Sequence, residues 1–287
     1  MRPLRSADIT LFCEDGANLR KAGANGLTQR LLEAAIQELR KELPFAASVV
    51  PVGVGAKNDV QVRSKFARAD NYRAFGLRDR DFLRRALVEK NRTQVFHRKP
   101  DQVLPWPLPR HCIQSYLLDT DVLGAVAPKI DVAVIRSAVD QAASARKWND
   151  AAHGALDDCM FKLRQVRQAM AGNVADRESA VRTICDEAAR LRVLYAAPFV
   201  EDQLVAELDA LEADMTSDGP LRHRVDGREL VKDVERALLA AHAVDLPMGE
   251  LISALDRQAQ AHPPKALLAD IRAALEQAPL EWRTMDG

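Results

Sequence analysis

The stretch from Ala74 to Phe82, AFGLRDRDF, narrows what this chain can fold into more than any other. An apolar run ends at Gly76-Leu77, and two aspartates follow with Arg80 between them. A short strand that stops at a carboxylate pair sets acidic oxygens at the carboxyl end of a sheet, the edge where open α/β sheets bind ligands. Asp79 and Asp81 repel each other unless a cation lies between them. Hard oxygen ligands with room for substrate phosphates suit Mg²⁺. Taken alone, the same residues also read as a loop with two solvated aspartates.

The neighbouring segments supply a sheet for that edge. Asp8 to Cys13 reads as a buried strand that ends at the acidic pair Glu14-Asp15. Leu27, Leu31, Leu32, Ala35, Ile36 and Leu39 recur at helical spacing, with Asn25 as the N-cap. Ala47 to Val54 is β-branched and reads as a second strand, where Pro51 argues for a sheet edge or a bulge. After the turn GVGAKN, Val62 and Phe66 mark a short amphipathic helix, and the third strand ends at Asp79. Strand–helix–strand–helix–strand makes a small parallel sheet. Glu14 is then expected on the same edge as Asp79 and Asp81, a three-carboxylate site. Gln94 to Phe96 reads as a further short strand and Pro105 to Pro109 as a stiff extended connector. Arg110 to Leu118 reads as a helix with Ile113, Tyr116 and Leu117 on one face.

Past Asp131 the texture is helical. Val132, Ile135, Val139 and Ala142 form one stripe, and Leu156, Cys159, Leu163, Val166 and Met170 a longer one. Further stripes run through Val181 to Leu191, Leu204 to Met215, Leu251/Leu255 and Leu267/Ile271. The fold class expected is α/β, a small parallel-sheet domain over 1–125 followed by an all-helical domain over 126–287, with a breaker at 217–220. At 287 residues, two domains are reasonable.

Net charge is uninformative, because Lys plus Arg equals Asp plus Glu at 41 each, but its distribution is not even. Arg63 to Arg110 holds thirteen basic and five acidic residues, whereas Glu201 to Asp218 holds seven acidic and no basic ones. The basic excess surrounds Asp79 and Asp81, where a phosphate backbone would be welcome. Arg78, Arg80, Arg84, Arg85, Lys90, Arg92, Arg98 and Lys99 are the candidates for it, with a solvated helix face as the plain alternative. Only Phe96 and Trp106 lie near in sequence for stacking on bases. The four cysteines are scattered, no apolar segment approaches the roughly 20 residues of a membrane span, and MRPLRSADIT has no signal-peptide core. A cytoplasmic protein with reduced thiols and no membrane partner is expected.

An acidic residue after the first strand, a Gly-rich turn, and a hydrophobic strand ending in D-x-D resemble the TOPRIM (topoisomerase–primase) domain. The matching segments are FCEDG with Glu14, GVGAKNDV with Lys57, and GLRDRDF with Asp79 and Asp81. The pattern looks most like TOPRIM proteins that accompany ABC-type ATPases in bacterial anti-phage defence, and like the TOPRIM half of overcoming-lysogenization-defect nucleases. RHCIQSYLLDTDVL and VDGRELV resemble further segments of that group. The resemblance covers about the first 125 residues and a patch near 227.

It implies a Mg²⁺-dependent nuclease, with Mn²⁺ as a substitute ion, that acts as a toxic effector held in check by an ATPase partner. Glu14 would be general acid/base and metal contact, Asp79 and Asp81 metal ligands, and Lys57 a contact to the scissile phosphate. Arg80, Arg84, Arg85, Arg98 and Lys99 would face the nucleic acid, DNA or RNA. Gln114 and Asn18 depart from the family, which there usually has Glu and often has Asp. Two other readings stay open: a non-catalytic binding or sensing subunit of the same fold, and another phosphotransfer enzyme that shares only the D-x-D. A homodimer is also open, since helical stripes meet within a chain or between chains. Asp150, His153, Asp157, Asp158 and Cys159 lack the ligand pattern of a zinc site. They read as an exposed polar helix face with Cys159 in the core.

Overall fold

The computed structural model describes residues 8–14, 26–55, 57–70, 72–80, 85–169, 227–240 and 250–283, with isolated positions between 186 and 213. Three strands form where the sequence expects them: β1 (Ile9–Glu14), β2 (Val49–Val54) and β3 (Ala74–Arg78). α1 (Leu27–Leu39) joins the first two and α2 (Lys57–Ala69) the next two. β1 pairs in parallel with both β2 and β3. A fourth strand, β4 (Trp106–Pro107), joins β3, giving the order β2-β1-β3-β4.

The connector Pro105 to Pro109 is therefore partly sheet. Proline lacks an amide, so it is tolerated only where no ladder bond is needed, at an edge. Both edge strands of this sheet carry one, Pro51 in β2 and Pro107 in β4. The β2 edge is further covered by α1. Gln29 Nε2 donates to the Pro51 carbonyl at 3.3 Å, and Gln29 Oε1 accepts from the Gly53 amide at 3.1 Å. These two bonds and Pro51 blunt the edge against pairing with a foreign strand.

The two crossovers lie on opposite faces of the sheet. Ile9, Leu11 and Cys13 are fully buried in one core with Leu31, Leu32, Ala35 and Ile36 of α1. The other face belongs to α2. A Cβ placed on Gly76 would come within 2.6 Å of Val60 Cγ1 and 2.7 Å of Ser64 Oγ, both on α2. Gly76 lets helix and strand approach, and Gly76→Ala is expected to destabilise the fold by about 1–3 kcal/mol through overpacking. A urea titration reads this out, and an unchanged midpoint would mean that α2 yields freely.

α2 itself differs from its sequence reading. Its buried residues are Val60 and Ser64, while Val62 and Phe66 face solvent. Two apolar residues at helical spacing fix a face but not which side of it the sheet takes. Gln94 to Phe96 is also not a strand. It belongs to turns that follow α3 (Arg85–Arg92), and Phe96 packs between Phe75 and Trp282 at ring-centroid distances of 5.3 and 5.6 Å. Ile113–Leu118 is a 3-10 helix rather than an α-helix.

Beyond it come α4 (Thr120–Val126) and a long α5 (Val132–Ala169), which merges the two sequence stripes into one helix. α6 (Gly227–Ala240), α7 (Leu251–Ala261), α8 (Lys265–Glu276) and α9 (Leu280–Arg283) follow. α7 and α8 pack back on α1, so the sequence boundary near 125 does not separate two cores among the described residues. Arg30 pairs with Asp256 at 2.7 Å, and Arg272 pairs with Glu42. Such partly exposed pairs are worth at most about 1 kcal/mol each. Shared apolar burial through Leu251, Leu255, Leu267 and Ile271 holds the layers together.

Asp150 is a correction. It is not on an exposed face but buried, paired with Arg146 at 3.3 Å, and Arg146 reaches Asp233 of α6 at 2.9 Å. The side chains from His153 to Cys159, and the stripe stretches 170–185 and 214–226, lie outside the described residues. Among those described, no helix is long and apolar enough to cross a membrane.

Candidate functional site

β1 and β3 run parallel in a register that pairs Cys13 with Leu77, so both chains leave the sheet at the same edge. Alternation along β1 sends Ile9, Leu11 and Cys13 to the α1 core and leaves Glu14 half-buried at the strand's end. Glu14 Oε1 accepts a hydrogen bond from the Asp79 amide at 3.2 Å. Residues 65 positions apart in sequence are thus brought together at the carboxyl end of the sheet.

Asp79 is buried, 5% exposed, and its Oδ1 accepts the Ile113 amide at 3.0 Å. The carboxylate therefore caps the first turn of the 3-10 helix, where backbone amides lack partners. One oxygen of each carboxylate is fixed on a backbone amide, which sets their orientation. Two hard oxygen donors at a strand-end edge fit the chemistry of Mg²⁺. Among the described residues, no three His, Cys, Asp or Glu side chains gather to hold a metal. Asp81, the third expected ligand, lies outside the described residues, as do Asp15 and Asn18.

The remaining expected site residues divide. Lys57 opens α2 where β2 leaves the same edge, and Arg85 opens α3, but their side chains are outside the description, as is Arg84 altogether. Arg98 and Lys99 are exposed. Arg80 is a correction: it is 1% exposed, and its Nη1 donates to the Pro109 carbonyl at 3.0 Å. It ties the D-x-D loop to the chain after β4 instead of facing a phosphate. Arg92 is likewise engaged, stacked over Trp106 at 4.9 Å. Trp106 is buried and Phe96 packed away, so neither presents a face for a base.

RHCIQSYLL forms the wall behind Asp79. Arg110 is buried, bonds Asp119 at 2.7 Å and the Ser115 carbonyl at 2.9 Å, and stacks over Tyr116 at 4.3 Å. The Tyr116 hydroxyl donates to Asp270 of α8 at 2.6 Å. Burial, reinforced by Asp270, pushes the Tyr116 hydroxyl well above its usual range, so it stays a donor. Burial also raises the Asp119 carboxyl, with Arg110 opposing. These residues anchor the helical layer to the site's rear wall. Gln114 Oε1 is buried and has no hydrogen-bond partner among the described residues. No local pattern in the sequence marks the Tyr116–Asp270 link, which spans 154 positions.

Compared with known protein families, with curated proteins and with solved structures, the chain matches none.

Proposed function

We propose that the carboxyl edge bearing Glu14 and Asp79 is the site of a Mg²⁺-dependent nuclease. The observation that carries the reading is the bond from the Asp79 amide to Glu14 Oε1 at 3.2 Å, which joins two strand ends at a ligand-binding edge. Glu14, Asp79 and Asp81 would hold the ion, which supplies charge neutralisation on the phosphate oxygens. Glu14 is the group for the proton of the attacking or leaving oxygen. Lys57, at the start of α2, is the candidate for the scissile phosphate, and exposed Arg98 and Lys99 for the flanking backbone. The TOPRIM assignment, control by an ABC-type ATPase and a role in anti-phage defence rest on the sequence resemblance and belong to the same proposal.

A second reading, a non-catalytic TOPRIM-fold subunit, is favoured by two features. Asp79 already serves as a helix cap, and a neutral Gln114 stands where the family has a glutamate. The two readings separate when the protein is incubated with plasmid, single-stranded DNA and total tRNA in Mg²⁺ or Mn²⁺. Cleavage that disappears in Asp79→Ala, in a variant that still melts cooperatively, is the expected result. Tight metal-independent binding with no cut product would favour the subunit.

A further inference from the structure

We infer that the outer face of α2 and the tract after His97 form a platform for single-stranded nucleic acid. Phe66 and Tyr72 would stack unpaired bases, with Arg63, Lys65, Arg98 and Lys99 on the phosphates. This rests on reading the carboxyl edge as a nucleic-acid site, and it names the substrate class.

Because Val60 and Ser64 take the sheet side of α2, the helical period turns Phe66 outward. Phe66 is 68% exposed and Tyr72, just past the helix, 60%. Among the aromatic side chains that the structure describes, which exclude those of Trp148 and Phe161, they are the only exposed rings. Both lie in the stretch that carries the basic excess. Arg63 and Lys65 flank Phe66 on α2 itself.

The tract that carries Arg98 and Lys99 is held to α2 by a fixed contact. Arg68 Nη2 donates to the His97 carbonyl at 3.1 Å, its guanidinium lies 4.9 Å from the centre of the Trp282 ring, and the turn Pro100–Gln102 packs on α2. The two cations that follow His97 are exposed. None of Arg63, Lys65, Arg98 and Lys99 has a carboxylate partner among the described residues, whereas Arg30, Arg110, Arg146 and Arg272 all do. The acidic groups bordering the face are Asp59, which leans back on Gly55, Asp70 just past the end of α2, Asp101 two residues beyond Lys99, and exposed Glu281 beside Arg68.

Rings alternating with unneutralised cations are what an unpaired strand needs: π-faces for bases and charge for the backbone. A duplex hides its bases from such rings. An apolar protein partner would gain only Val62 as a further large exposed apolar side chain among those described on this helix, and would have to desolvate the cations. Direction also fits. α2 begins at the carboxyl edge beside Glu14 and runs back along the sheet for 13 residues, about 20 Å. A strand laid along it leads to the carboxylates.

The test measures binding of fluorescein-labelled oligo-dT, and of a duplex of equal length, to full-length protein in EDTA. The single strand should bind tighter than the duplex. Phe66→Ala with Tyr72→Ala should weaken it by roughly tenfold or more. Arg98→Glu with Lys99→Glu should weaken it and flatten its salt dependence. All four side chains are exposed, and a melting curve checks that each variant folds. Equal affinity for duplex, or single-strand binding untouched by the ring variants, overturns the platform. Repeating the measurement in Glu14→Ala separates the two ideas. Lost cleavage with retained binding leaves the platform standing. Duplex cleavage without single-strand preference sinks the platform and keeps the nuclease.

Discussion

Glu14→Gln is expected to slow Mg²⁺-dependent cleavage by about two to four orders of magnitude while leaving the melting temperature almost unchanged. The glutamine keeps an oxygen where Oε1 now accepts the Asp79 amide, so the bond that holds the D-x-D loop against β1 survives. It loses the negative charge that would hold an ion and the basicity that would take a proton. Glu14→Ala removes the acceptor as well. That variant should lose activity to a similar degree and, in addition, about 1–3 kcal/mol of stability from the unpaired amide. The gap between the two melting temperatures measures what Glu14 does for position, and the activity they share losing measures what it does for chemistry. A Glu14→Gln protein that cleaves at the wild-type rate would remove Glu14 from the mechanism and leave it a structural clamp.

That clamp was foreseeable in outline. Parallel strands joined by crossover helices must end on one edge, so an acid closing the first strand and an acid closing the third were bound to be neighbours. Periodicity also located α1: of the six residues the spacing selects, Leu31, Leu32, Ala35, Ile36 and Leu39 are buried and Leu27 is half-buried. Pro51 pointed to an edge strand, and β2 is one. The failures have a common cause. β4 has two residues, too few for any pattern to show, and exists because β3 offers a free edge. The apolar character of Phe96 suggests a strand, yet what it meets is Phe75 and Trp282, the latter 186 positions further along the chain. For α2 the pattern gave a stripe, but Gly76 opposite decided that Val60 and Ser64, not Val62 and Phe66, would be covered.

The site was less legible than the fold. The residue type of Arg80 suggested a phosphate contact. Its guanidinium is instead turned inward to the Pro109 carbonyl. Charge counted along the sequence treats all eight arginines and lysines of the basic zone alike. In space Arg80 and Arg92 are consumed by internal contacts, while Arg98 and Lys99 stay in solvent. The second duty of Asp79, capping the Ile113 amide, depends on where the 3-10 helix starts, which no local motif announces.

Among the described glycines, Gly227→Ala is expected to be the most damaging replacement. Gly227 begins α6 and lies against the 3-10 helix behind the site. A Cβ there would fall 2.1 Å from Ser115 Oγ, 2.8 Å from the Ser115 backbone nitrogen and 3.0 Å from Cys112 Sγ. A hydroxyl rotates away at little cost, but a backbone nitrogen moves only with its helix. That helix is fixed at one end by Asp79 and, through Tyr116, to Asp270 of α8. Overpacking of this kind costs about 1–3 kcal/mol, and a clash on backbone belongs at the top of the range. The better helix propensity of alanine, about 1 kcal/mol in a helix interior, is worth less at a first helical position. For a protein of this size each kcal/mol lowers the melting temperature by about 2–4 °C, so a calorimetric scan resolves the effect. Combining Gly227→Ala with Ser115→Gly removes the closest contact but leaves the nitrogen, and should restore only part of the loss. Full recovery would show that the hydroxyl alone was the obstacle. If Gly227→Ala melts with the wild type, α6 is not seated rigidly on the wall behind Asp79, and Gly227 is not what lets the two helices meet.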